Sequence, residues 1–358
     1  MTVPTIQPLR FPKSSLRIGI IGAGGIVQNA HLPGYRKAGY HVSAIADIRE
    51  QVARDLARRF EISRVFTDAR DLIASPEVDV IDMAIPEIAR PGLVEAVMRA
   101  RKPLLIQKPL AYTLARGREI VRMFSEARVP LAVNQNARFA PEFHAIKQLI
   151  ESGALGQVFD IRWTMRNTSD HRSWARDSWY ARDERFQILS WSIHHLDLFR
   201  HWLEDEALSV YCVLPRRPSQ NFRGEIMASA VLRFRNGAHV SMIDSNACTP
   251  GRPEIQEVDV DGTKGSAYAK VSQPRAFRFW LMDERAGPAM DAPLHQPALE
   301  GEWYPDGFAA SMGGFLNDLA ESREPSVSGR RNLGMLELVE ACYLSDRTGR
   351  PVDLAELP

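Results

Sequence analysis

A glycine-rich segment is the part of the sequence whose residue types and spacing most clearly indicate chemistry. Gly22, Gly24 and Gly25 directly follow an apolar run with the composition of a buried strand. Glycine at position 22 permits a tight turn, and Gly24 lets the backbone approach a pyrophosphate held at a helix N-terminus. The third position of this fingerprint is Val27, where glycine or alanine is usual. The segment predicts a dinucleotide site contacted by Gly22, Gly24, Gly25 and Ile26.

An acidic residue, Asp47, ends the second predicted strand. An aspartate at this place accepts hydrogen bonds from both hydroxyls of an adenosine ribose, and its charge repels a 2′-phosphate. The sequence therefore favours NAD over NADP, with Asp47, Ile48 and Arg49 beside the ribose. The cation of Arg49 weakens this preference. The alternative interpretation is a glycine turn that binds no ligand, followed by a surface aspartate.

A lysine, Lys108, follows the predicted strand Pro103–Ile106. If the strands are parallel, it lies at the carboxyl edge of the sheet, where ligands bind in this architecture. Partial burial would lower the pKa of its ammonium group enough for proton transfer, or its charge would polarise a substrate hydroxyl. A solvated lysine at a strand end is the alternative.

The segment Arg166–Arg185 combines aromatic with hydrogen-bonding side chains, among them Asp170, His171, Arg172, Trp174, Trp179 and Tyr180. Such a mixture is typical of a sugar pocket, where apolar faces stack on rings and polar groups bind hydroxyls. A surface loop anchored by its tryptophans is an equally weighted alternative.

Alternating strand-like and helix-like segments position the first group of residues. The apolar strand-like runs are Leu16–Ile21, His41–Ala46, Asp79–Ile85, Pro103–Ile106 and Leu131–Asn134. This alternation predicts a doubly wound parallel sheet of the Rossmann type. Beyond about residue 136, successive strands joined by turns such as Asn236-Gly237 predict an open, mostly antiparallel sheet with helices. We therefore predict a leader at 1–15, a dinucleotide-binding Rossmann domain at 16–136 and an α+β domain at 137–358.

Composition limits the classes of function. The chain has 358 residues, a formal net charge of +1, 45% hydrophobic and 25% charged residues. This balance gives no overall field that would favour nucleic acid or an anionic membrane. The cysteines Cys212, Cys248 and Cys342 show neither disulfide nor metal spacing, and no apolar run reaches the roughly 20 residues that span a bilayer. We expect a soluble, cytoplasmic protein with a flexible leader instead of a signal peptide, and without a metal site.

Segments distributed along nearly the whole chain resemble the Gfo/Idh/MocA family, which includes glucose–fructose oxidoreductase and inositol dehydrogenase. They are Ile20–Pro33 (IIGAGGIVQNAHLP), Leu104–Ala111 (LLIQKPLA), Asn134–Phe139 (NQNARF), Ile146–Gly156 (IKQLIESGALG), Ile193–Leu203 (IHHLDLFRHWL) and Thr348–Leu354 (TGRPVDL). The resemblance implies a Rossmann domain followed by a domain with a large open sheet. In such proteins that sheet commonly mediates homodimers or homotetramers.

The resemblance also implies roles for individual residues. Lys108 falls on the lysine of a Glu-Lys-Pro motif that approaches substrate and nicotinamide, with Gln107 in place of the glutamate. His194 falls on a histidine that acts as acid/base or substrate ligand. Ser190 replaces the aspartate of that helix and supplies no charge. A core histidine satisfied by Asp197 or by the backbone is the alternative for His194. We expect His195 to be structural or to support the residues that touch the substrate.

Further contacts follow from the same resemblance. Ile85-Pro86 replaces a Thr-Pro pair near the nicotinamide ribose, and Arg90 takes the place of a histidine. The predicted cofactor contacts therefore extend to Ile85, Pro86, Gln107, Lys108 and Asn136. The predicted substrate contacts are Lys108, Arg138, Arg166, Trp174, Ser190 and His194.

These assignments predict hydride transfer between NAD and a secondary alcohol of a sugar, inositol or related polyol, with Lys108 and His194 handling the hydroxyl proton. Two alternatives remain open. One is an enzyme that oxidises a sugar transiently to ease elimination or hydrolysis and then re-reduces it with the retained cofactor. The other is a regulatory relative that binds dinucleotide without efficient turnover, which the serine at position 190 would explain.

Overall fold

A computed structural model describes residues 3–282 and 292–357 of the chain. They form two compact units, of which the first comprises Leu9–Ala140 together with Gly301–Leu336. The second comprises the other described residues. The predicted boundary at residue 136 lies close to the end of the first long segment. The later segment 301–336, which the sequence analysis assigns to the second domain, belongs to the first unit.

The strands, numbered in chain order, fall into two sheets. Those of the first unit are β1 (Ile18–Ile21), β2 (Val42–Ala46), β3 (Arg64–Phe66), β4 (Val80–Met83), β5 (Leu104–Gln107) and β6 (Leu131–Asn134). Those of the second are β7 (Val158–Arg166), β8 (Ala207–Val213), β9 (Met227–Phe234), β10 (His239–Ser245), β11 (Ile255–Gly262), β12 (Gly265–Lys270), β13 (Ala276–Leu281), β14 (Leu294–His295) and β15 (Val352–Asp353).

The α-helices alternate with the strands of the first unit and flank the sheet of the second. They are α1 (Leu32–Ala38), α2 (Glu50–Phe60), α3 (Ala69–Ala74), α4 (Leu93–Arg99), α5 (Leu114–Ala127), α6 (Pro141–Glu151), α7 (Ser173–Arg176), α8 (Ile193–Leu203), α9 (Phe308–Ala320) and α10 (Gly329–Thr348). Within the described ranges, none of them combines the length and apolar character that crossing a membrane requires.

The first unit contains a six-stranded sheet in the order β3-β2-β1-β4-β5-β6. Every pairing in it is parallel. Strands β1 and β4 are buried along their whole length because helices cover both faces. The strand order reverses beside β1, so the carboxyl edge at β1 and β4 is the place where a doubly wound sheet binds ligands. The predicted Rossmann architecture is confirmed.

The segment 301–336 is part of the hydrophobic core of this unit. Met312, Phe315 and Leu316 of α9 pack in one buried cluster with Ile20 and Leu105 of the sheet. Burying each such side chain contributes roughly 1.5–3 kcal/mol relative to leaving it in water. The dinucleotide-binding architecture therefore depends on residues that lie far beyond β6 in the sequence.

The second unit contains a nine-stranded sheet in the order β14-β13-β12-β11-β7-β10-β9-β8-β15. Its pairings are antiparallel except for β7 with β10, which is parallel. On one face, Phe143 of α6 and Trp202 of α8 pack with Trp163 of β7 in an aromatic cluster. The large, open and mostly antiparallel sheet predicted for this part of the chain is confirmed.

The opposite face of this sheet leaves apolar side chains exposed. Tyr211 on β8 lies opposite Val231 on β9, and Ile243 on β10 is 54% exposed. Along β9 and β10, buried and more exposed residues alternate, which is the pattern of a sheet covered by helices on one side only. One face of the sheet therefore packs against helices, whereas the other presents apolar side chains to solvent.

Candidate active site

The loop between β1 and the first helix has the geometry of a phosphate-binding turn. Gly22 has a φ of 111°, and a Cβ atom there would lie 2.7 Å from the carbonyl oxygen of Ala84. Position 22 therefore requires glycine. At Gly24 an added Cβ would meet no atom of the described residues within 4 Å. The loop thus leaves the space that a pyrophosphate needs to approach its backbone.

The helix after this loop is locally wider than an α-helix. It begins at Gly25, takes a π-helical form over Val27–His31 and continues as α1. Val27, which occupies the unusual position of the fingerprint, is fully buried in the hydrophobic core. The first unit therefore accommodates a valine at this position while keeping the glycine turn.

Asp47 follows β2 and faces the glycine loop. Its Oδ2 accepts a hydrogen bond from the backbone N–H of Ala23 at 2.7 Å, and its Oδ1 accepts one from the Arg49 side chain at 3.0 Å. Burial by itself would raise the pKa of Asp47, but the hydrogen bonds from Arg49 and Ala23 outweigh it and lower the pKa. The carboxylate is therefore charged at neutral pH and fixed beside the loop. The neighbouring Ile48 side chain is 91% exposed and offers an apolar surface.

Arg90 connects the segments that follow β4 and β5. Its side chain is buried, and its Nε donates to the carbonyl oxygen of Ile85 at 3.1 Å. A second guanidinium N–H donates to the carbonyl oxygen of Pro109. Arg90 thereby anchors the backbone at Ile85-Pro86, a predicted cofactor contact, to the backbone beside Lys108.

Lys108 directly follows β5 and is partly buried. Burial first, and then the positive charge of Arg90, lower the pKa of its ammonium group from the ordinary value to about 8. A lysine with such a pKa exchanges protons readily near neutral pH, unlike a solvated surface lysine. The structure therefore gives Lys108 an environment that is compatible with the predicted role in proton transfer.

Buried amide groups lie at the end of β6, next to β5 in the sheet. Asn134 pairs in register with Gln107. The side chains of Asn134 and Gln135 are fully buried, and their amide oxygen and nitrogen atoms have no hydrogen-bond partner among the described residues. Each buried unsatisfied polar group costs about 1–3 kcal/mol. Such groups are typical of a place that binds a polar ligand.

The next residues of that segment are held within the unit. Asn136 accepts a hydrogen bond from Trp303 Nε1 at 2.8 Å through its Oδ1, and its Nδ2 donates to the Asn134 carbonyl at 3.3 Å. Arg138 lies in the 3₁₀-helix Asn136–Phe139 and is partly buried. The side chain of Asn136, a predicted cofactor contact, therefore anchors the segment that carries Arg138.

The predicted cofactor residues share one edge of the first unit. They lie at or after the carboxyl ends of β1, β2, β4, β5 and β6, and comprise Gly22, Gly24, Gly25, Ile26, Asp47, Ile48, Arg49, Ile85, Pro86, Gln107, Lys108 and Asn136. Because all six strands are parallel, these ends lie side by side. The edge offers open backbone at Gly24, a fixed carboxylate at Asp47 and unsatisfied amides at Asn134 and Gln135, so its residues fit a dinucleotide.

In the second unit, Ser190 and His194 lie on one helical segment. Ser190 belongs to the π-helical stretch Gln187–Ser192, and His194 lies in the first turn of α8. Ser190 is buried, and its hydroxyl donates to Asp183 Oδ2 at 3.5 Å. The structure thus places a carboxylate beside the serine. Sequence reasoning missed Asp183 because a loop residue seven positions earlier has no periodic relation to the helix.

His195 is part of a buried polar network. Its Nδ1 lies 2.7 Å from Asp244 Oδ2, and Trp163 Nε1 donates to the other carboxylate oxygen at 2.9 Å. The rings of Trp163 and His195 pack with their centroids 4.1 Å apart. Asp244 therefore fixes the histidine ring, and the role of His195 stays a prediction from the sequence.

A buried aspartate, Asp170, anchors the segment Arg166–Arg185, for which the sequence predicts a sugar pocket or a surface loop. Asp170 is fully buried, and its Oδ1 accepts a hydrogen bond from the backbone N–H of Asn221 at 2.8 Å. Trp179 and Tyr180 stack with ring centroids 4.0 Å apart. Arg166 ends β7, and Trp174 lies on α7, with its side chain outside the described part of the structure. The segment is anchored through Asp170, and its role toward a substrate stays a prediction.

A metal centre is not apparent in the part of the chain that the structure describes. No group of three or more histidine, cysteine, aspartate or glutamate side chains lies close enough there to hold a metal ion. The residues that lie at the carboxyl edge of the first sheet instead offer amide, ammonium and backbone groups together with the single carboxylate of Asp47.

Comparison with known protein families decides the relationship of the chain. Residues 16–135 match the family model described as an oxidoreductase family with an NAD-binding Rossmann fold. Residues 143–268 match the model of the GFO/IDH/MocA C-terminal domain. The chain belongs to the Gfo/Idh/MocA oxidoreductase family. The resemblance stated from the sequence is confirmed, and the two matches fall on the parallel and the mostly antiparallel sheet.

Members of the Gfo/Idh/MocA family with named activities match over nearly the full chain. A D-apiose dehydrogenase from Paraburkholderia graminis is 30% identical over 94% of this chain and 89% of its own length. A myo-inositol 2-dehydrogenase from Thermotoga maritima is 27% identical over 96% of this chain and 99% of its own. The crystal structure of an oxidoreductase from Agrobacterium radiobacter in complex with NAD+, L-tartaric acid and magnesium matches with a TM-score of 0.83 and 27% identity. That match covers 96% of this chain and 99% of the other.

Proposed function

We propose that this Gfo/Idh/MocA protein is an NAD-dependent dehydrogenase. It transfers a hydride between the cofactor and a secondary alcohol of a sugar, inositol or related polyol. The observation that carries the proposal is the position of Lys108 directly after β5, at the carboxyl edge of the same parallel sheet that carries the glycine loop and Asp47. Burial there lowers the pKa of its ammonium group to about 8. The named activities of the similar dehydrogenases support the substrate class.

The first unit supplies the groups that would hold NAD. The backbone at Gly24 and Gly25 would receive the pyrophosphate, and Asp47 the hydroxyls of the adenosine ribose. The unsatisfied amides of Asn134 and Gln135 would bind polar groups of the bound molecules. When bound, the nicotinamide ring accepts or donates the hydride.

Lys108 would exchange the proton of the substrate hydroxyl. Its amine is held at the strand end and is neutral in about half of the molecules near pH 8, so it can accept a proton as an alcohol is oxidised. In the reverse direction the ammonium form returns the proton to the carbonyl oxygen. The part of His194 at the same hydroxyl stays a prediction from the sequence, as do the substrate contacts of Arg138, Arg166, Trp174 and Ser190.

The function is tested by following NADH absorbance with a panel of sugars, inositols and sugar acids, with NAD and NADP in parallel. Turnover of at least one polyol with NAD is the expected result. If NAD binds in calorimetry but every panel member gives no NADH, the dehydrogenase proposal is rejected. If a sugar is then converted to product without net formation of NADH, the result would indicate the enzyme that recycles its cofactor. If no sugar is converted, it would indicate the regulatory alternative.

The pH dependence of turnover follows from the pKa of Lys108. In the direction of alcohol oxidation the neutral amine is the active form, because it must accept a proton. We therefore expect kcat/KM to rise with pH through about 8 and to level off above it. In the direction of carbonyl reduction the ammonium form is required, so kcat/KM should fall over the same range. Initial rates between pH 6 and 10 measure the pH dependence in both directions. If kcat/KM changed in the same sense with pH in both directions, the role of Lys108 would be contradicted.

We propose that the protein is a homodimer or homotetramer and that the apolar face of the nine-stranded sheet forms its interface. The exposure of Tyr211, Val231 and Ile243 on that face supports the proposal, because isolated domains seldom expose neighbouring large apolar side chains. Replacing Val231 and Ile243 by arginine should lower the molar mass measured by light scattering, whereas Ser125→Arg on α5 should not. A wild-type protein that is monomeric at micromolar concentration would contradict it.

We also propose a cytoplasmic location. Cys212, Cys248 and Cys342 are free thiols, and Cys212 and Cys342 are buried. Buried thiols of this kind are typical of proteins that remain in a reducing compartment.

A further inference from the structure

A buried aspartate–histidine pair lies within the first unit, and none of the roles assigned to the glycine loop or to the cofactor site accounts for it. Asp82 is a residue of β4, and His31 ends the π-helical segment Val27–His31. Both side chains are fully buried, and His31 Nδ1 lies 2.6 Å from Asp82 Oδ2. The hydroxyl of Tyr35 also donates to Asp82 Oδ2, at 2.8 Å. A buried carboxylate is destabilising by several kcal/mol unless it is paired, so the pair requires an explanation.

The hydrogen bonds of the pair fix one tautomer of the histidine. Because the Asp82 carboxylate accepts hydrogen bonds, His31 Nδ1 carries a proton and donates it, and in the neutral imidazole this leaves Nε2 as an acceptor. The Gln107 amide nitrogen lies 3.4 Å from that Nε2, and the amide oxygen accepts a hydrogen bond from the backbone N–H of Lys108 at 2.9 Å. Each donor in this chain of contacts faces an acceptor.

A flipped Gln107 amide would break both of its contacts. Its nitrogen would then face the backbone N–H of Lys108, donor against donor, and its oxygen would face the lone pair of His31 Nε2. The orientation of Gln107 is thus coupled to the tautomer of His31. The histidine is also faced by the Tyr35 hydroxyl, 3.3 Å from His31 Nδ1, and by the rings of Tyr35 and Phe308, with centroids 5.8 and 4.9 Å away. At the other end of the chain of contacts, the charge of Arg90 acts on Lys108.

We infer that His31, held by Asp82, is a positioning residue for Lys108 and acts on it through Gln107. The pair fixes the amide of Gln107, the amide fixes the backbone N–H of Lys108, and the amine is thereby kept in its partly buried position beside Arg90. Loss of a link lets the ammonium group reach solvent, where its charged form is more stable. The inference rests on the proposed function only where it concerns turnover, because the proton affinity of Lys108 can be measured without a substrate.

The experiment is a titration of the Lys108 amine in the full-length protein. The rate of trace acetylation by acetic anhydride is followed against pH by peptide mass spectrometry, because only the neutral amine reacts. His31→Phe keeps an aromatic ring of similar size between Tyr35 and Phe308 but cannot accept the Gln107 hydrogen bond. Gln107→Leu removes the same link at a partly exposed position, without changing the buried pair. Tyr35→Phe is the matched control, because it removes a hydroxyl that contacts Asp82 and His31 Nδ1 but leaves the contact between His31 Nε2 and Gln107 in place.

The inference expects the midpoint of Lys108 acetylation to rise by one pH unit or more in His31→Phe and in Gln107→Leu, and to stay within 0.3 unit in Tyr35→Phe. The double variant should show no larger rise than either single variant, because the two residues act in series. With an active substrate, kcat of His31→Phe should fall roughly 10- to 100-fold while its KM for NAD stays within about twofold, since His31 is not a predicted cofactor contact and a displaced amine slows chemistry more than binding.

Two results would overturn the inference. One is an unchanged Lys108 midpoint in a folded His31→Phe protein, or in Gln107→Leu if His31→Phe does not fold. The other is a double variant whose shift equals the sum of the two single shifts, which would mean that the residues act independently. Absence of turnover in the wild type would reject the dehydrogenase proposal and leave the acetylation result to decide the positioning role.

Discussion

Replacing Lys108 by methionine is expected to lower kcat by roughly 10²- to 10⁴-fold, the usual contribution of a positioned acid/base group. Methionine keeps a similar length and apolar character but can neither accept nor return a proton. The Kd for NAD, measured by calorimetry, should rise by less than about tenfold, because the variant removes only one of the predicted cofactor contacts and leaves the glycine loop and Asp47 on their own strand ends. Steady-state rates with an active substrate and cofactor binding in its absence together test this expectation.

Lys102 provides the control for that variant. It precedes β5, whereas Lys108 follows the same strand, and its Nζ donates to the carbonyl oxygen of Ser75 at 2.6 Å. Lys102→Met therefore removes a partly buried lysine from the opposite edge of the sheet and should leave kcat within about twofold. A Lys108→Met enzyme that keeps more than a tenth of the wild-type kcat would show that another group handles the hydroxyl proton.

Asp47→Ser is expected to lower the preference for NAD over NADP, expressed as the ratio of kcat/KM values, by roughly 100-fold. Hydrogen bonds to a charged group contribute about 1.5–3 kcal/mol, which is roughly 10- to 100-fold in affinity, and the loss of the carboxylate also removes the repulsion of a 2′-phosphate. In the wild type the carboxylate accepts two hydrogen bonds from the Arg49 guanidinium, at 3.0 and 3.1 Å. Without the carboxylate, the Arg49 guanidinium can bind the 2′-phosphate of NADP instead.

The same variant separates two roles of Asp47. Its Oδ2 also accepts the backbone N–H of Ala23, so Asp47→Ser could weaken both cofactors equally by loosening the glycine loop. An equal fall of kcat/KM for NAD and NADP would contradict the idea that the charge of Asp47 selects the cofactor. Asp47 would then act only by holding the glycine loop. Asp55→Asn on the exposed side of α2 is the control, and it should leave both kcat/KM values unchanged.

Much of the first unit could be predicted from the sequence because its signals are local. A buried parallel strand is a short apolar run, and the residue that ends it lies at the ligand-binding edge whatever follows in the chain. Gly22, Asp47 and Lys108 could therefore be placed without knowledge of the rest of the fold. The environment that lowers the pKa of Lys108 was expected only in outline, because the buried position of Arg90 depends on contacts with Ile85 and Pro109.

The features that the sequence did not reveal depend on contacts between distant residues. The apolar face of α9 fits a helix packed on either sheet, so no local pattern tells which core Phe315 joins. The pairing of His31 with Asp82 spans 51 positions, and an aspartate inside an apolar run does not indicate its partner. Ser190 and Asp183 illustrate the same limit over a shorter distance, because a loop brings the carboxylate to the helix.

The division of the first unit between two stretches of sequence has a consequence for biosynthesis. A ribosome completes β6 well before it reaches Phe308, the first residue of α9. During that interval the nascent sheet lacks Met312, Phe315 and Leu316, and the apolar surface that they cover stays open to water or to chaperones. The strands of the Rossmann sheet are synthesised first, but the core of the first unit is completed only after most of the polypeptide has left the ribosome.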